Sequence, residues 1–155
     1  MLRRLGVFVA TGAFVGYAPV APGTFGSALG LAVFFAVRYV RSQAVEAIAL
    51  VILAGVGVWS ATEAERHFGR VDPGYIVIDE VVGMLVTLAF VPVNAVGVLV
   101  AFVLFRLLDV VKPWPARRLE RLHGGLGVML DDVMAGIYAN LVMWELVRLV
   151  PGTLT

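Results

Sequence analysis

Cysteine is absent from the sequence, which excludes disulfide bonds, a cysteine nucleophile and thiolate metal ligands. Charged residues are also scarce, at 15% of the chain against roughly 25% in average soluble domains. No Asp, Glu, Lys or Arg occurs between Leu5 and Val37 or between Val81 and Phe105. Because so few charges cannot cover a water-exposed surface, the sequence predicts an integral membrane protein.

Apolar residues dominate instead: 61% of the 155 residues are hydrophobic, and the mean hydropathy is +0.95. This length suits a single domain spanning residues 1–155. Two arginines followed by an apolar run resemble a secretory signal at the N-terminus. The apolar character continues past Pro22, however, so we expect no cleaved signal.

Proline, glycine and polar breaks predict an all-α fold, a compact bundle of about five to six helices. A strand at residues 76–78 is rejected because an isolated strand is not viable in lipid. A helix over residues 5–18 would reach only about 21 Å, short of a hydrocarbon core of roughly 30 Å, and is expected to lie in the interface or to re-enter. The other helices are predicted at 24–41 with Thr24 as N-cap, 44–68, 76–90, 95–111 and 128–150, with a short basic amphipathic segment at 116–122.

Following these helices up and down brings most of their ionisable residues to one end of the bundle. Charge inside such an apolar sequence is costly and usually marks a functional site. This end is also richer in Lys and Arg than the other, so the positive-inside rule predicts that it faces the cytoplasm. The candidate site residues at this end are Thr24, Asp79, Glu80, Arg106, Asp109, Lys112, Asp131 and Asp132.

The residue types at this end suit phosphoryl chemistry. Two acidic pairs, Asp79–Glu80 and Asp131–Asp132, are each expected in the first turn of a helix, where like charges raise one another's pKa or collect a cation. Hard oxygen ligands of this kind suit Mg²⁺, which binds carboxylates together with phosphate oxygens and water. Arg106, Lys112 and the Pro-Gly-Thr turn ending at Thr24 could hold an anion beside them. Such a site could let metal-activated water attack a bound phosphate.

Each feature also has a structural interpretation. An acidic pair can simply complement the helix dipole, and Arg106 with Asp109 can form an internal ion pair. The arginines after Lys112 can be interfacial anchors, and Asp72 is expected to be a solvated loop charge. Two other functions therefore remain open: a small transporter or channel, whose carboxylates would be spread through the membrane depth, and a helper subunit that docks through ion pairs. The convergence of several groups favours a site.

Four motifs together resemble the phosphatidylglycerophosphatase A family over nearly the whole chain. They are PVAPGTFGS at 19–27, YIVIDEVVGM at 75–84, FRLLDVVKPWP at 105–115 and HGGLGVMLDDVMAG at 123–136. Members of that family are Mg²⁺-dependent enzymes of the bacterial inner membrane that convert phosphatidylglycerophosphate to phosphatidylglycerol. The resemblance implies an all-helical fold, a lipid phosphomonoester substrate, and metal binding and catalysis by Asp79, Glu80, Asp131 and Asp132, with Asp109 as a fifth member.

The sequence also lacks the covalent nucleophile motifs of other phosphatases. There is no Asp-x-Asp-x-Thr/Val loop and no Pro-Ser-Gly-His segment, and the absence of cysteine excludes a Cys-X5-Arg loop. Direct attack by water is therefore the simpler hypothesis. We expect a multi-pass lipid phosphatase with Mg²⁺ as cofactor, a phospholipid substrate, membrane lipids and no nucleic acid as partners, and a phosphate held by Arg106, Lys112 and the Thr24 turn.

Overall fold

The computed structural model describes residues 2–119, 122 and 124–155, and this part of the chain is all-helical, without a strand. The all-α prediction is confirmed. The predictions that involve Arg121 and His123 lie outside the described residues. The helices are α1 (Leu2–Ala10), α2 (Pro22–Tyr39), α3 (Gln43–Phe68), α4 (Ile78–Leu88), α5 (Ala95–Val111), α6 (Ala116–Leu119), α7 (Gly125–Leu149) and α8 (Pro151–Leu154), with a 3₁₀ turn at Val15–Tyr17.

The five predicted long helices correspond to α2, α3, α4, α5 and α7, with ends that agree to within three residues. The single helix predicted over residues 5–18 is wrong, because the backbone turns after α1 through positive φ angles at Gly12, Ala13 and Phe14. Thr24 was also wrongly predicted as an N-cap. The helix α2 begins earlier, at Pro22, since proline suits the first helical position, and Ala21 is its N-cap.

The short helix α4 is the centre of the bundle and packs against α2, α3, α5 and α7. Nine of its 11 residues are buried, including Asp79 in the first turn and Met84 and Leu88 further along. At about 1.5 Å per residue α4 is only some 16 Å long. It is therefore a core element, surrounded by longer helices, that carries its acidic pair inside the protein.

Glycines allow α4 to approach α7 and α2 closely. A Cβ atom on Gly136 would lie 2.5 Å from the backbone oxygen of Gly83, and one on Gly83 would lie 2.6 Å from the Phe105 ring. On the other side, a Cβ on Gly30 would lie 2.8 Å from Met84 Cβ. Larger residues at these positions would hold the helices apart. The glycines thus fix how near the acidic pairs of α4 and α7 can come.

Asn140 of α7 forms hydrogen bonds with the C-terminal end of α4. Its side-chain nitrogen donates hydrogen bonds to the carbonyl oxygens of Thr87, at 3.1 Å, and Ala89, at 3.0 Å. These carbonyls end the helix and lack partners in the next turn, so the side chain of Asn140 satisfies groups that would otherwise be unpaired. α4 is consequently attached to α7 at two levels, by the glycine contact and by this cap.

A second buried acidic group lies far along the chain from the candidate site residues. Glu46, in the first turn of α3, accepts a hydrogen bond from the backbone N–H of Phe90 at 2.8 Å and lies 3.5 Å from Arg38 Nη1. Arg38 Nη2 also donates to the carbonyl oxygen of Val91 at 2.8 Å. This network ties the α4–α5 connection to α2 and α3, which is a structural task.

Within the described part of the chain, two helices, α3 and α7, are long and apolar enough to cross a membrane, judged by length and composition. In the most apolar 18-residue stretch of α3, 22% of the stretch is buried inside the protein; in the corresponding stretch of α7, 50% is buried. Large apolar side chains such as Val51 and Ile52 on α3, and Leu99 and Leu107 on α5, are exposed. Exposed apolar surface of this extent needs a covering partner.

Candidate active site

Seven of the eight predicted site residues line one cavity of about 230 Å³ between the starts of α2, α4 and α7 and the end of α5. The segment that precedes α4 also contributes, through Asp72, Gly74 and Ile76. The predicted residues that the structure brings together are up to 53 positions apart in the sequence, from Asp79 to Asp132. The seven are Asp79, Glu80, Arg106, Asp109, Lys112, Asp131 and Asp132.

Both predicted cations are held by carboxylates of this cavity. Arg106 Nη1 donates a hydrogen bond to Asp109 Oδ2 at 2.6 Å and lies 3.8 Å from Glu80 Oε1. Lys112 Nζ donates to Asp131 Oδ2, also at 2.6 Å. The spacing of three residues between Arg106 and Asp109 puts both on one face of α5, so this ion pair forms within a single turn.

Three carboxylates form a compact cluster on the acidic side of the cavity. Asp79, Glu80 and Asp132 each place an oxygen within 4.8 Å of the others. Buried oxygens without a hydrogen-bond partner occur on each of them, at Asp79 Oδ1, Glu80 Oε2 and Asp132 Oδ2, and also at Asp131 Oδ1. Such oxygens are costly unless a cation or a donor satisfies them. An all-oxygen donor set of this kind fits a hard divalent cation such as Mg²⁺.

The raised pKa values of the two acidic residues of α4 agree with a cation site. Burial raises the pKa of Asp79 well above its ordinary value, and the nearby charges of Glu80 and Asp132 raise it further. Burial likewise raises the pKa of Glu80, although a hydrogen bond with Asp79 and the charge of Arg106 oppose this change. A divalent cation bound here would stabilise the ionised carboxylates and offset the cost of burying them.

The start of α2 forms another wall of the cavity. Ala21, Pro22 and Gly23 line it, and the N-terminal end of a helix favours negative charge. A Cβ on Gly23 would lie 2.1 Å from Glu80 Oε1 and 3.0 Å from Arg106 Nη2. A larger residue here would displace the ends of the Glu80 and Arg106 side chains. The side chain of Thr24, one residue later, is exposed and is not part of the lining, so the turn contributes through Gly23 rather than Thr24.

The acidic pair of α7 lies deeper in its helix than expected. α7 begins at Gly125, so Asp131 and Asp132 fall in its second turn and not in the first. Complementing the helix dipole therefore does not account for them. The two also have different partners, because successive residues of a helix are rotated by about 100°. Asp132 joins Asp79 and Glu80, whereas Asp131 contacts Lys112.

The sequence analysis missed two further polar residues of the site. Ser27, one helical turn after Gly23, accepts a hydrogen bond from Arg106 Nη1 at 3.4 Å and donates one to the carbonyl oxygen of Gly23 at 2.9 Å. Asp72 is exposed in its loop, as expected, and it also lines the cavity, which was not expected. The repeated small residues at 23, 26, 27 and 30 were the available signal for Ser27, since they mark the face of α2 that approaches α4.

These observations define a class of protein. It is all-helical and has a buried carboxylate cluster that fits a divalent metal ion. Beside this cluster lie two basic side chains and the start of a helix, which suit a phosphate. Comparison with known proteins gives the family. The phosphatidylglycerophosphatase A family model matches residues 8–147, and the chain belongs to this family.

Curated relatives agree with this assignment over most of their length. Phosphatidylglycerophosphatase A of Escherichia coli is 36% identical over 88% of this chain and 80% of its own, and the Haemophilus influenzae protein of the same name is 35% identical over 81% and 78%. A Bacteroides thetaiotaomicron protein, provisionally described as a phosphatidylinositol-3-phosphatase, is 38% identical over 90% of this chain and 91% of its own. No solved structure matches the chain.

Proposed function

We propose that this protein is a Mg²⁺-dependent lipid phosphatase that hydrolyses the terminal phosphomonoester of phosphatidylglycerophosphate to phosphatidylglycerol and phosphate. The observation that carries the proposal is the single cavity that holds both Arg106 and Lys112 and buried carboxylate oxygens without a hydrogen-bond partner. Membership of the phosphatidylglycerophosphatase A family supports the substrate.

The three-carboxylate cluster is the proposed metal site. Asp79, Glu80 and Asp132 hold Mg²⁺, and Asp131, fixed on Lys112, offers its second oxygen as a further ligand. Bound Mg²⁺ supplies a Lewis acid that stabilises charge developing on the phosphate and makes water more acidic.

The remaining polar residues bind the phosphate and move its protons. Arg106, Lys112 and the α2 start at Gly23 neutralise the phosphate oxygens. Asp109, or one carboxylate of the cluster, accepts a proton from the attacking water. A new P–O bond forms to the water oxygen, the ester P–O bond breaks, and the departing glycerol oxygen takes up the proton that the carboxylate accepted.

The apolar surface supports a place in the membrane. We propose that α3 and α7 span the bacterial inner membrane, that the exposed faces of α3 and α5 contact lipid, and that acyl chains of the substrate lie between helices. The excess of Lys and Arg at the cavity end supports a cytoplasmic orientation of the site. A transporter is disfavoured because a cation path would distribute carboxylates through the membrane depth, whereas these gather in one cavity.

Phosphate release from phosphatidylglycerophosphate tests the proposal. We expect turnover by purified protein with Mg²⁺, none with chelator, and a loss of at least roughly 100-fold in Asp132→Asn. Glu145→Gln is the matched control, because Glu145 is on the same helix but exposed and paired only with Arg148. No turnover with any divalent cation in a folded wild-type preparation would refute the enzyme assignment and favour a helper subunit.

A further inference from the structure

A second cavity, of about 510 Å³, adjoins the catalytic one along the connection between α5 and α6. We call it the basic groove; its lining is Val111, Lys112, Pro113, Trp114, Arg117 and Arg118. Lys112 lines both cavities, so the two adjoin at this residue. Among the described residues of its lining the ionisable ones are Lys112, Arg117 and Arg118, all cations, in contrast with the carboxylate-rich catalytic cavity. The groove thus offers an anion a site immediately beside the proposed catalytic centre.

Local contacts hold the arginines of the groove in place. Arg117 Nη2 donates a hydrogen bond to the carbonyl oxygen of Val111 at 3.3 Å. The guanidinium of Arg118 lies over the Trp114 ring, 5.9 Å from its centroid. The backbone at Trp114 is also held, since Tyr138 donates its hydroxyl hydrogen to the Trp114 carbonyl oxygen at 2.9 Å. Two guanidinium groups oriented in this way lose less side-chain entropy when they bind an oxyanion.

The substrate of the proposed function carries a second anion close to the phosphate that is removed. In phosphatidylglycerophosphate, a three-carbon glycerol joins the terminal phosphomonoester to the phosphodiester that leads to the acyl chains. Phosphatidylinositol 3-phosphate has the same relation between its two phosphates, across three carbons of the inositol ring. A phosphomonoester bound between Arg106 and Lys112 therefore requires a neighbouring place for a phosphodiester.

We infer that the basic groove binds this phosphodiester and that Arg117 and Arg118 determine specificity for lipids that carry both a phosphodiester and a phosphomonoester. The inference rests on the proposed function, in that the phosphomonoester occupies the catalytic cavity. Lys112 lies between the two phosphates, and the apolar Val111 and Trp114 border the path of the acyl chains. Phosphatidate, which has a phosphomonoester but no phosphodiester, makes no use of the groove.

Another groove next to the catalytic cavity provides the matched control. It is lined by Tyr17, Tyr75, Pro22 and Gly74 among others, and Arg70 is the one cation among the described residues of its lining. Pro22 and Gly74 also line the catalytic cavity, so this groove adjoins it too. With a single exposed cation it suits an anion less well than the basic groove does. Arg70→Gln removes a positive charge from the same region without changing the basic groove.

Binding of short-chain lipids, measured by calorimetry with soluble monomeric ligands, tests the inference without depending on turnover. Dibutanoyl phosphatidylglycerol keeps the phosphodiester and lacks the phosphomonoester, whereas dibutanoyl phosphatidate has the reverse. We expect the Arg117→Gln/Arg118→Gln double variant to weaken phosphatidylglycerol binding at least roughly 5-fold and to change phosphatidate binding less than about 2-fold. Arg70→Gln should change neither.

Kinetics with dibutanoyl phosphatidylglycerophosphate add a second readout. The double variant should raise KM by a similar factor and leave kcat within about 2-fold, because the groove binds a part of the substrate that does not react. The inference would be overturned if the double variant bound both lipids equally more weakly, or bound both as wild type does. It would also be overturned if Arg70→Gln lost more affinity for phosphatidylglycerol than the double variant. If wild-type protein binds as expected but hydrolyses nothing, the groove stands and the proposed activity fails.

Discussion

Replacing Gly136 by Ala inserts one methyl group at the closest approach of α4 and α7. Its Cβ would lie 2.5 Å from the backbone oxygen of Gly83, which a side-chain rotation cannot relieve. Normal contacts begin near 3.0–3.4 Å, so the two helices must separate by about 0.5–0.9 Å. Overpacking of this kind usually costs about 1–3 kcal/mol, and the higher helix propensity of alanine returns up to about 1 kcal/mol.

The larger consequence concerns the site. The carboxylates of α4 and α7 lie one turn from this contact, and a shift of about 0.5–0.9 Å exceeds the ±0.2 Å tolerance of metal–ligand distances. We expect Gly136→Ala to reduce kcat by about 10- to 100-fold, with a modest loss of thermal stability.

The assay compares phosphate release and the melting temperature in detergent across two variants. Gly55→Ala is the control, because no atom lies within 4 Å of a Cβ built on Gly55 in α3; it should keep full activity and be as stable as wild type or more so. Full activity of Gly136→Ala, at a melting temperature equal to that of Gly55→Ala, would refute the idea that the glycine contact sets the carboxylate geometry.

Three further predictions concern other groups of the structure. Adding Mg²⁺ at ten times its dissociation constant should stabilise wild type by about 1.4 kcal/mol and leave the Asp79→Asn variant unstabilised in a thermal melt; equal shifts would contradict the metal site. Lys112→Gln should lower kcat/KM for phosphatidylglycerophosphate by at least roughly 10-fold in steady-state assays. The change removes a side chain that binds the phosphate and leaves Asp131 without the Lys112 ion pair. An unchanged kcat/KM would contradict a role of Lys112 in the site. Glu46→Gln should lower the melting temperature and keep kcat, because its carboxylate holds the Phe90 backbone and Arg38; lost activity at unchanged stability would argue against a purely structural role.

Much of the fold was predictable because helix ends carry local signals. Pro92 and Asn94 end one helix and begin the next, and the side chain of Asn94 does accept the Gly97 N–H at 3.0 Å as an N-cap should. The membership of the cavity was also predictable, since consecutive helices that run up and down return their polar ends to one side. The α1 region was not, because Ala13 and Phe14 give no sequence signal of a left-handed backbone.

The different contacts of the adjacent site residues could not be predicted from the sequence. Asp131 and Asp132 are adjacent and chemically identical, and only the rotation of α7 about its axis decides which of them faces Asp79. That rotation is set by tertiary contacts such as Gly136 against Gly83. Asp72 was missed for a similar reason: a charge in a loop has no periodicity, so nothing local shows that the loop folds over the cavity.

The double attachment of α4 to α7 has a consequence for how a lipid could enter. With the glycine contact at one level and the Asn140 cap at another, separating the helices that carry Asp79 and Asp132 would require both contacts to break. Arg106 and Lys112 come from α5 and its C-cap, and each forms an ion pair with a carboxylate of the cavity. An entering phosphate would therefore have to compete with Asp109 for Arg106 and with Asp131 for Lys112. The two contacts between α4 and α7 would keep Asp79 and Asp132 together during this exchange of partners.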